Sequence, residues 1–346
     1  MTDRPTPRLA VIGLGMATKP HLDALVELRG RVEVSGVFNR TRDKAEAVRE
    51  RFGFPVFDSL DAIAADPATD GVIIATPPNQ RLAIVEKMAG AGKHILMEKP
   101  IERTMEAAKD IVELCERSGI TLGIVFQHRF REGARRLRTL LGENALGDLG
   151  LVRAEIPWWR DQAYYDVPGR GSLERDGGGV LISQAIHVLD LMLSLTGPAS
   201  SLQAFTATTR LHRMETEDFA AAGIEFAGGA VGSVVATTAT YPGEQERLVL
   251  DGTEATAALT GGTLQVTWRD GRSETVGETT GTGGGADPMA FPCDWHRDLI
   301  ENFAEAIRDG RQPAIPGREA LRVHALIAAM TRSAAEGRRV EVESVA

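Results

Sequence analysis

The opening stretch of the chain, residues 1 to about 125, alternates short apolar runs with amphipathic helical stretches, and that rhythm leaves few folds open. Residues 9–12, 32–38, 71–75, 95–97 and 120–125 read as strands; 42–52, 59–65, 80–91 and 105–118 show helical spacing. Strands that are apolar throughout have both faces covered, and strand–helix alternation makes the sheet parallel and doubly wound. In such a sheet ligands bind outside the carboxyl ends of the strands. The run 95–97 delivers Glu98 and Lys99 to that edge, and Pro100 keeps Lys99 extended. Lys99 is therefore expected to do more than solvate a loop.

The first run leads straight into Gly13-Leu14-Gly15-Met16-Ala17-Thr18-Lys19-Pro20-His21. Gly13 allows a tight turn, and Gly15 lets the backbone of Met16 and Ala17 approach a pyrophosphate at a helix N-terminus. Thr18 stands where the fingerprint has its third glycine. An NAD site places an acidic residue about 20 positions on, at the ribose hydroxyls. Here Asn39 lies 24 positions after Gly15, followed by Arg40 and, two further on, Arg42. With no carboxylate to repel a 2′-phosphate and two guanidiniums to clasp it, NADP is expected over NAD. The rigid turn Thr76-Pro77-Pro78-Asn79 is expected beside the nicotinamide, with Thr76, Pro77 and Asn79 as contacts alongside Glu98 and Lys99.

After residue 126 the rhythm changes. Residues 149–157, 201–208, 218–226, 230–238, 246–251, 255–259 and 263–268 are short alternating runs divided by Gly and Asp turns, which predicts an antiparallel meander. A polar-aromatic loop, 158–176, and a helix, 179–195, separate the first two runs; helices near 295–309 and 318–335 close the chain. Residues 277–285 read as a flexible loop. The expected domains are 1–125, binding a dinucleotide, and 126–346, binding substrate and making the oligomer. In the helix after Gly177-Gly178-Gly179, Ser183 and His187 are four apart and share a face, with Asp190 nearby. A lone His among apolar residues is commonly a core residue. The glycines, which permit close backbone approach, and the aromatic loop favour a ligand-facing one.

Together these pieces resemble the glucose–fructose oxidoreductase / inositol dehydrogenase / MocA (Gfo/Idh/MocA) family over essentially the whole chain. The resemblance rests on the Gly-x-Gly turn ending in His21, the Thr76-Pro77-Pro78-Asn79 turn, Ala91-Gly92-Lys93-His94 leading to Glu98-Lys99-Pro100, and the His187/Asp190 helix. It implies an α/β chain: a Rossmann domain, then an α+β domain with an open, mostly antiparallel sheet, sheet-to-sheet homodimers or homotetramers, and hydride transfer between nicotinamide and a secondary carbinol or ketone of a sugar, sugar derivative or cyclitol. Lys99 and His187 are then the catalytic pair, Lys99 stabilising charge on the reacting oxygen and His187 acting as acid/base. Gln127, His128, Arg129, Trp159, Arg160, Tyr164 or Tyr165, and Ser183 would shape the sugar pocket; His128 is either a second proton carrier or a rim residue. Two departures stand out: Ser183 replaces an Asp common in relatives, and Arg81 and Leu82 stand where relatives carry a His. The alternatives are a redox-neutral glycoside-cleaving enzyme holding NAD, and a dinucleotide-binding sugar sensor without turnover.

A net charge of −9 and the lack of a basic stripe argue against a nucleic-acid partner. Two cysteines make neither a disulfide framework nor a metal motif, so no metal is expected. The longest apolar stretch, 180–195, carries Ser183, Gln184, His187 and Asp190 and is unsuited to a membrane. A cytoplasmic location is expected.

Overall fold

The computed structural model describes residues 6–278 and 292–345. The chain divides into two compact units. The first takes the described residues through Glu102, then Glu106–Val125 and Pro292–Ala320; the second takes Arg103–Met105 and the described residues of 126–291 and 321–346.

The first unit is built on strands β1 (Arg8–Ile12), β2 (Glu33–Phe38), β3 (Gly71–Ile74), β4 (His94–Glu98) and β5 (Leu122–Val125). All pair in parallel, in the order β2-β1-β3-β4-β5. Between them run α1 (Lys19–Glu27), α2 (Arg42–Phe52), α3 (Leu60–Ala65), α4 (Arg81–Gly90) and α5 (Met105–Arg117). Leu9 to Ile12 and Val72 to Ile74 are at most 1% exposed, as strands covered on both faces require. The strand order reverses between β1 and β3, so the turns leaving these strands flank the crevice where such sheets take ligands. The expected 1–125 domain recruits one element from far along the chain, the helix Asp294–Asp309. A Cβ on Gly123 would lie 3.0 Å from Phe303, so the bare backbone of β5 makes room for that ring, which is 1% exposed.

The second unit carries β6 (Leu149–Pro157), β7 (Ala199–Ala207), β8 (Phe219–Phe226), β9 (Val231–Thr237), β10 (Arg247–Gly252), β11 (Ala255–Thr260), β12 (Thr263–Trp268), β13 (Ser273–Val276) and β14 (Val340–Glu341). The sheet order is β13-β12-β11-β10-β6-β9-β8-β7-β14. The sheet is mostly antiparallel, as expected, but it is not a simple meander: β6 sits mid-sheet, antiparallel to β10 and parallel to β9. Helices α6 (Glu132–Gly142), α7 (Gln162–Tyr165) and α8 (Ile186–Thr196) also belong here, α6 and α8 packing on the sheet. Alternation in β6 and β8 buries Val152, Ala154, Ile156, Ala220, Ala222, Ile224 and Phe226. The opposite face leaves Leu151, Phe205, Val231 and Val235 39–62% exposed. Of the predicted loop 277–285, residues 279–285 lie outside the described residues.

Candidate active site

In the first unit the glycine turn is held by its own backbone. Gly13 has φ +92°, and a Cβ there would meet the Thr76 side chain at 2.9 Å and the Ala75 and Thr76 backbone at 3.0 Å. A side chain is thus barred both by conformation and by the close passage of the chain leaving β3. Thr18, standing for the third glycine, is buried and donates its hydroxyl to the Gly13 carbonyl at 2.8 Å, closing the loop from inside. Gly15 differs: nothing lies within 4 Å of where its Cβ would be, and it, Met16 and Ala17 are exposed. An open, backbone-lined step at a helix start fits a dinucleotide pyrophosphate.

Asn39 fixes the end of β2 to this loop. Its side-chain oxygen accepts from Leu14 N at 3.0 Å, and its amide donates to the Thr41 carbonyl at 3.0 Å. Arg42, expected at a 2′-phosphate, is instead engaged by Glu46 (2.8 Å) and Asp58. Arg40 remains exposed at the strand end.

Glu98, expected among the cofactor contacts, is buried. One carboxylate oxygen accepts from His21 Nε2 at 2.7 Å; the other accepts from the Lys99 amide at 3.1 Å. Burial alone would raise its pKa, but the hydrogen bond from His21, with the nearby Lys99 charge, holds the carboxyl below its usual range. His296 meets His21 edge to face, ring centroids 4.8 Å apart, and burial pushes it down to about 3. Arg81, absent from the expected site, is 2% exposed and donates to three carbonyls: Thr76 at 3.0 and 2.7 Å, Glu98 and Pro100. Its guanidinium, lowered to about 10 by burial, ties the ends of β3 and β4 together and grips the backbone on both sides of Lys99. A cation on the first residue of a helix opposes the helix dipole, and that was the signal available in the sequence.

In the second unit the predicted helix 179–195 begins with a π turn, Leu181–Ala185, before α8. Ser183 lies in that turn and His187 just beyond it. Glu217 clamps the helix start: its carboxylate accepts from Gly179 N (3.1 and 3.2 Å) and Leu181 N (3.1 Å), and its carbonyl accepts from Val180 N (2.8 Å). Burial raises the Glu217 carboxyl. A Cβ on Gly179 would fall 1.8 Å from the Glu217 carbonyl, and one on Gly177 2.6 Å from Arg103. The close approach permitted by the glycine triplet is therefore made by Glu217 and Arg103, which corrects the expectation that a ligand makes it.

His187 stacks on His128, with centroids 4.9 Å apart and planes at 26°, and meets the Phe126 ring edge on. Arg129 forms a buried two-pronged pair with Asp190 at 2.7 and 2.6 Å, so its fork is directed at the protein rather than at a ligand. Gln127 is buried in the same turn. The aromatic loop forms a second cluster. Trp159 lies against Tyr241 and His212, while Arg160 is buried and donates to the Trp159 carbonyl. The Tyr165 hydroxyl bonds Thr238 Oγ1 at 2.6 Å, and burial pushes its phenol up. Tyr164 accepts from Arg170 (2.5 Å) and from Gln184 (3.3 Å), which links the loop to the π turn. Among the described residues, Trp159, Tyr164 and Ser183 are the half-buried members of the expected sugar pocket.

A parallel sheet with an open glycine step and a gripped lysine on one strand edge, together with a second sheet carrying a histidine-bearing helix, defines a two-unit dinucleotide-dependent oxidoreductase. Two family models agree: the oxidoreductase family with an NAD-binding Rossmann fold matches residues 7–126, and the GFO/IDH/MocA C-terminal domain matches 134–258. The chain belongs to the Gfo/Idh/MocA family. It is 27% identical to D-apiose dehydrogenase of Paraburkholderia graminis over 358 residues, covering 97% of this chain and 90% of that protein. It is 30% identical to D-xylose dehydrogenase of Paenarthrobacter nicotinovorans over 152 residues, 43% of this chain and 39% of that one. The structure of the WlbA dehydrogenase of Bordetella pertussis, in complex with NADH and UDP-GlcNAcA, superposes with a TM-score of 0.83 at 27% identity, covering 98% of this chain and all (100%) of that one.

Proposed function

We propose that this protein oxidises or reduces a secondary carbinol or ketone of a sugar, sugar derivative or cyclitol with a nicotinamide dinucleotide. The observation that carries this reading is the fixed backbone at Lys99: Arg81 binds the carbonyls on either side of it, and Glu98 binds its amide. Gly13, Gly15, Met16 and Ala17 would hold the dinucleotide, which supplies the hydride acceptor or donor. Lys99 stabilises negative charge growing on the substrate oxygen. His187 takes the hydroxyl proton in oxidation and returns it in reduction. Trp159, Tyr164 and Ser183 would line the sugar site. The sugar dehydrogenases among the relatives support this substrate class.

For the dinucleotide, Arg40 and the missing carboxylate at Asn39 favour NADP. Against that stand the engagement of Arg42 by Asp58 and Glu46, and the NADH in the WlbA dehydrogenase structure. We read the open face of the second sheet as an oligomer interface: Phe205, Ala221 and Val235 line up across β7, β8 and β9, next to Leu151 and Val231. No described helix is long and apolar enough to cross a membrane, and two free thiols suit the cytoplasm where we place the protein. A panel of pentoses, hexoses, anhydrosugars, nucleotide sugars and inositols, assayed with NAD and NADP by nicotinamide absorbance, tests the function. Dinucleotide binding with no redox change on any of them, but with cleavage of a glycoside, would replace this reading with the redox-neutral one.

A further inference from the structure

Buried beside His187 is a polar chain that the proposed reaction does not use. Arg131 donates to His128 Nε2 at 2.7 Å and to Glu246 at 2.6 Å, and Glu246 also accepts from Trp158 Nε1 at 3.2 Å. His128 and Arg131 are 3% exposed, Glu246 and Trp158 4%. A guanidinium can only donate. His128 Nε2 therefore presents its lone pair to Arg131, and the ring carries its proton on Nδ1. A second proton would have to sit on Nε2, pointing at an N–H.

We propose that Arg131 is a positioning residue that fixes His128 as the neutral Nδ1-protonated tautomer, and so decides which of the two stacked histidines carries the proton. The rings of His128 and His187 are too close for both to be cations at little cost. With His128 held neutral, the proton goes to His187. The charged groups packed around the pair within this unit balance: Arg129 against Asp190 and Arg131 against Glu246. The inference rests on the reading of His187 as acid/base, and it rules out His128 as a second proton carrier.

The test is nitrogen-15 NMR of histidine-labelled full-length protein from about pH 5.5 to about pH 8.5, the span in which imidazole changes charge. Signals are assigned with His128→Gln and His187→Gln. In the unmodified protein His128 stays neutral with its proton on Nδ1 throughout, while His187 titrates once. In Arg131→Met, His128 gains a titration of its own, and the acid limb of sugar oxidation acquires a second ionisation. In Arg131→Lys, which keeps a donor, His128 stays neutral. An imidazolium or Nε2-protonated His128 in the unmodified protein overturns the proposal, even if no Arg131 variant folds. So does an Arg131→Met protein whose His128 spectrum is unchanged. The NMR result does not depend on turnover: a protein inactive on every sugar, with His128 locked as described, sinks the function and leaves the tautomer standing.

Discussion

His296 should make the first unit acid-sensitive in a window where ordinary carboxylates are still ionised. Its imidazole, 1% exposed and facing His21 and Glu98, is lowered by burial from 6.5 to about 3. A group depressed in the folded state contributes stability above its unfolded pKa and loses it as pH falls toward the folded value. Only the unfolded chain takes up this proton between those limits, so stability falls by about 1.4 kcal/mol per pH unit once below the unfolded pKa. From about pH 7.5 to about pH 5 the loss is about 2 kcal/mol. Glu98, also held low, adds its own loss only at more acid pH, and His94, lowered by burial, is common to both proteins compared. Replacing His296 with Gln removes the titrating group while keeping a polar side chain. Urea unfolding of both proteins at the two pH values, followed by circular dichroism, gives the double difference. The unmodified protein should lose about 2 kcal/mol more than His296→Gln. Equal losses in the two proteins would refute the claim that a buried neutral imidazole underlies the effect.

Lys99→Ala should lower turnover about 100-fold or more, a loss of about 3 kcal/mol of transition-state stabilisation, with dinucleotide affinity nearly intact; a drop below about threefold in turnover sinks its role. Replacing both Asp58→Asn and Glu46→Gln should release Arg42 and tighten NADP relative to NAD in a binding titration, and an unchanged ratio would show that Arg42 does not reach the 2′-phosphate. Gly179→Ala should destabilise the second unit by about 2 kcal/mol or more, because its methyl meets the Glu217 carbonyl rather than a mobile side chain; a melting temperature equal to the parent's would mean that the clamp yields freely.

What the sequence disclosed is what local pattern encodes. The cores of β1, β3 and β4 announce themselves as unbroken apolar runs, and β6 and β12 as alternation bounded by turns, with the ends of β6 and β12 where the structure puts them. The parallel pairing of β6 with β9 was not legible, because alternation says which face is buried and nothing about which neighbour lies alongside. Nor was the docking of the helix Asp294–Asp309 on β5, which depends on Phe303 meeting Gly123 across 180 positions. Glu98 and Lys99 were legible as a pair at a strand edge, but not their division of labour: one carboxylate turned inward to His21, and a lysine whose backbone is held on both sides. The π turn before His187 has no residue signature, and Ser183 and His187 look alike in α and π spacing.

Two buried ion pairs hold the turn after β5 in place: Arg129 with Asp190 and Arg131 with Glu246. Such pairs are weak evidence for stability, since desolvating two charges costs about as much as their attraction returns. They do more for geometry. Each joins segments distant in sequence, and losing either partner strands a buried charge, so the alternatives to the observed arrangement are penalised more than the arrangement itself is favoured. Glu98 shows what that achieves at the site. A carboxylate beside Lys99 that faced solvent would neutralise the ammonium on which the proposed chemistry depends. Turned inward to His21 and the Lys99 amide, it fixes the lysine's backbone instead.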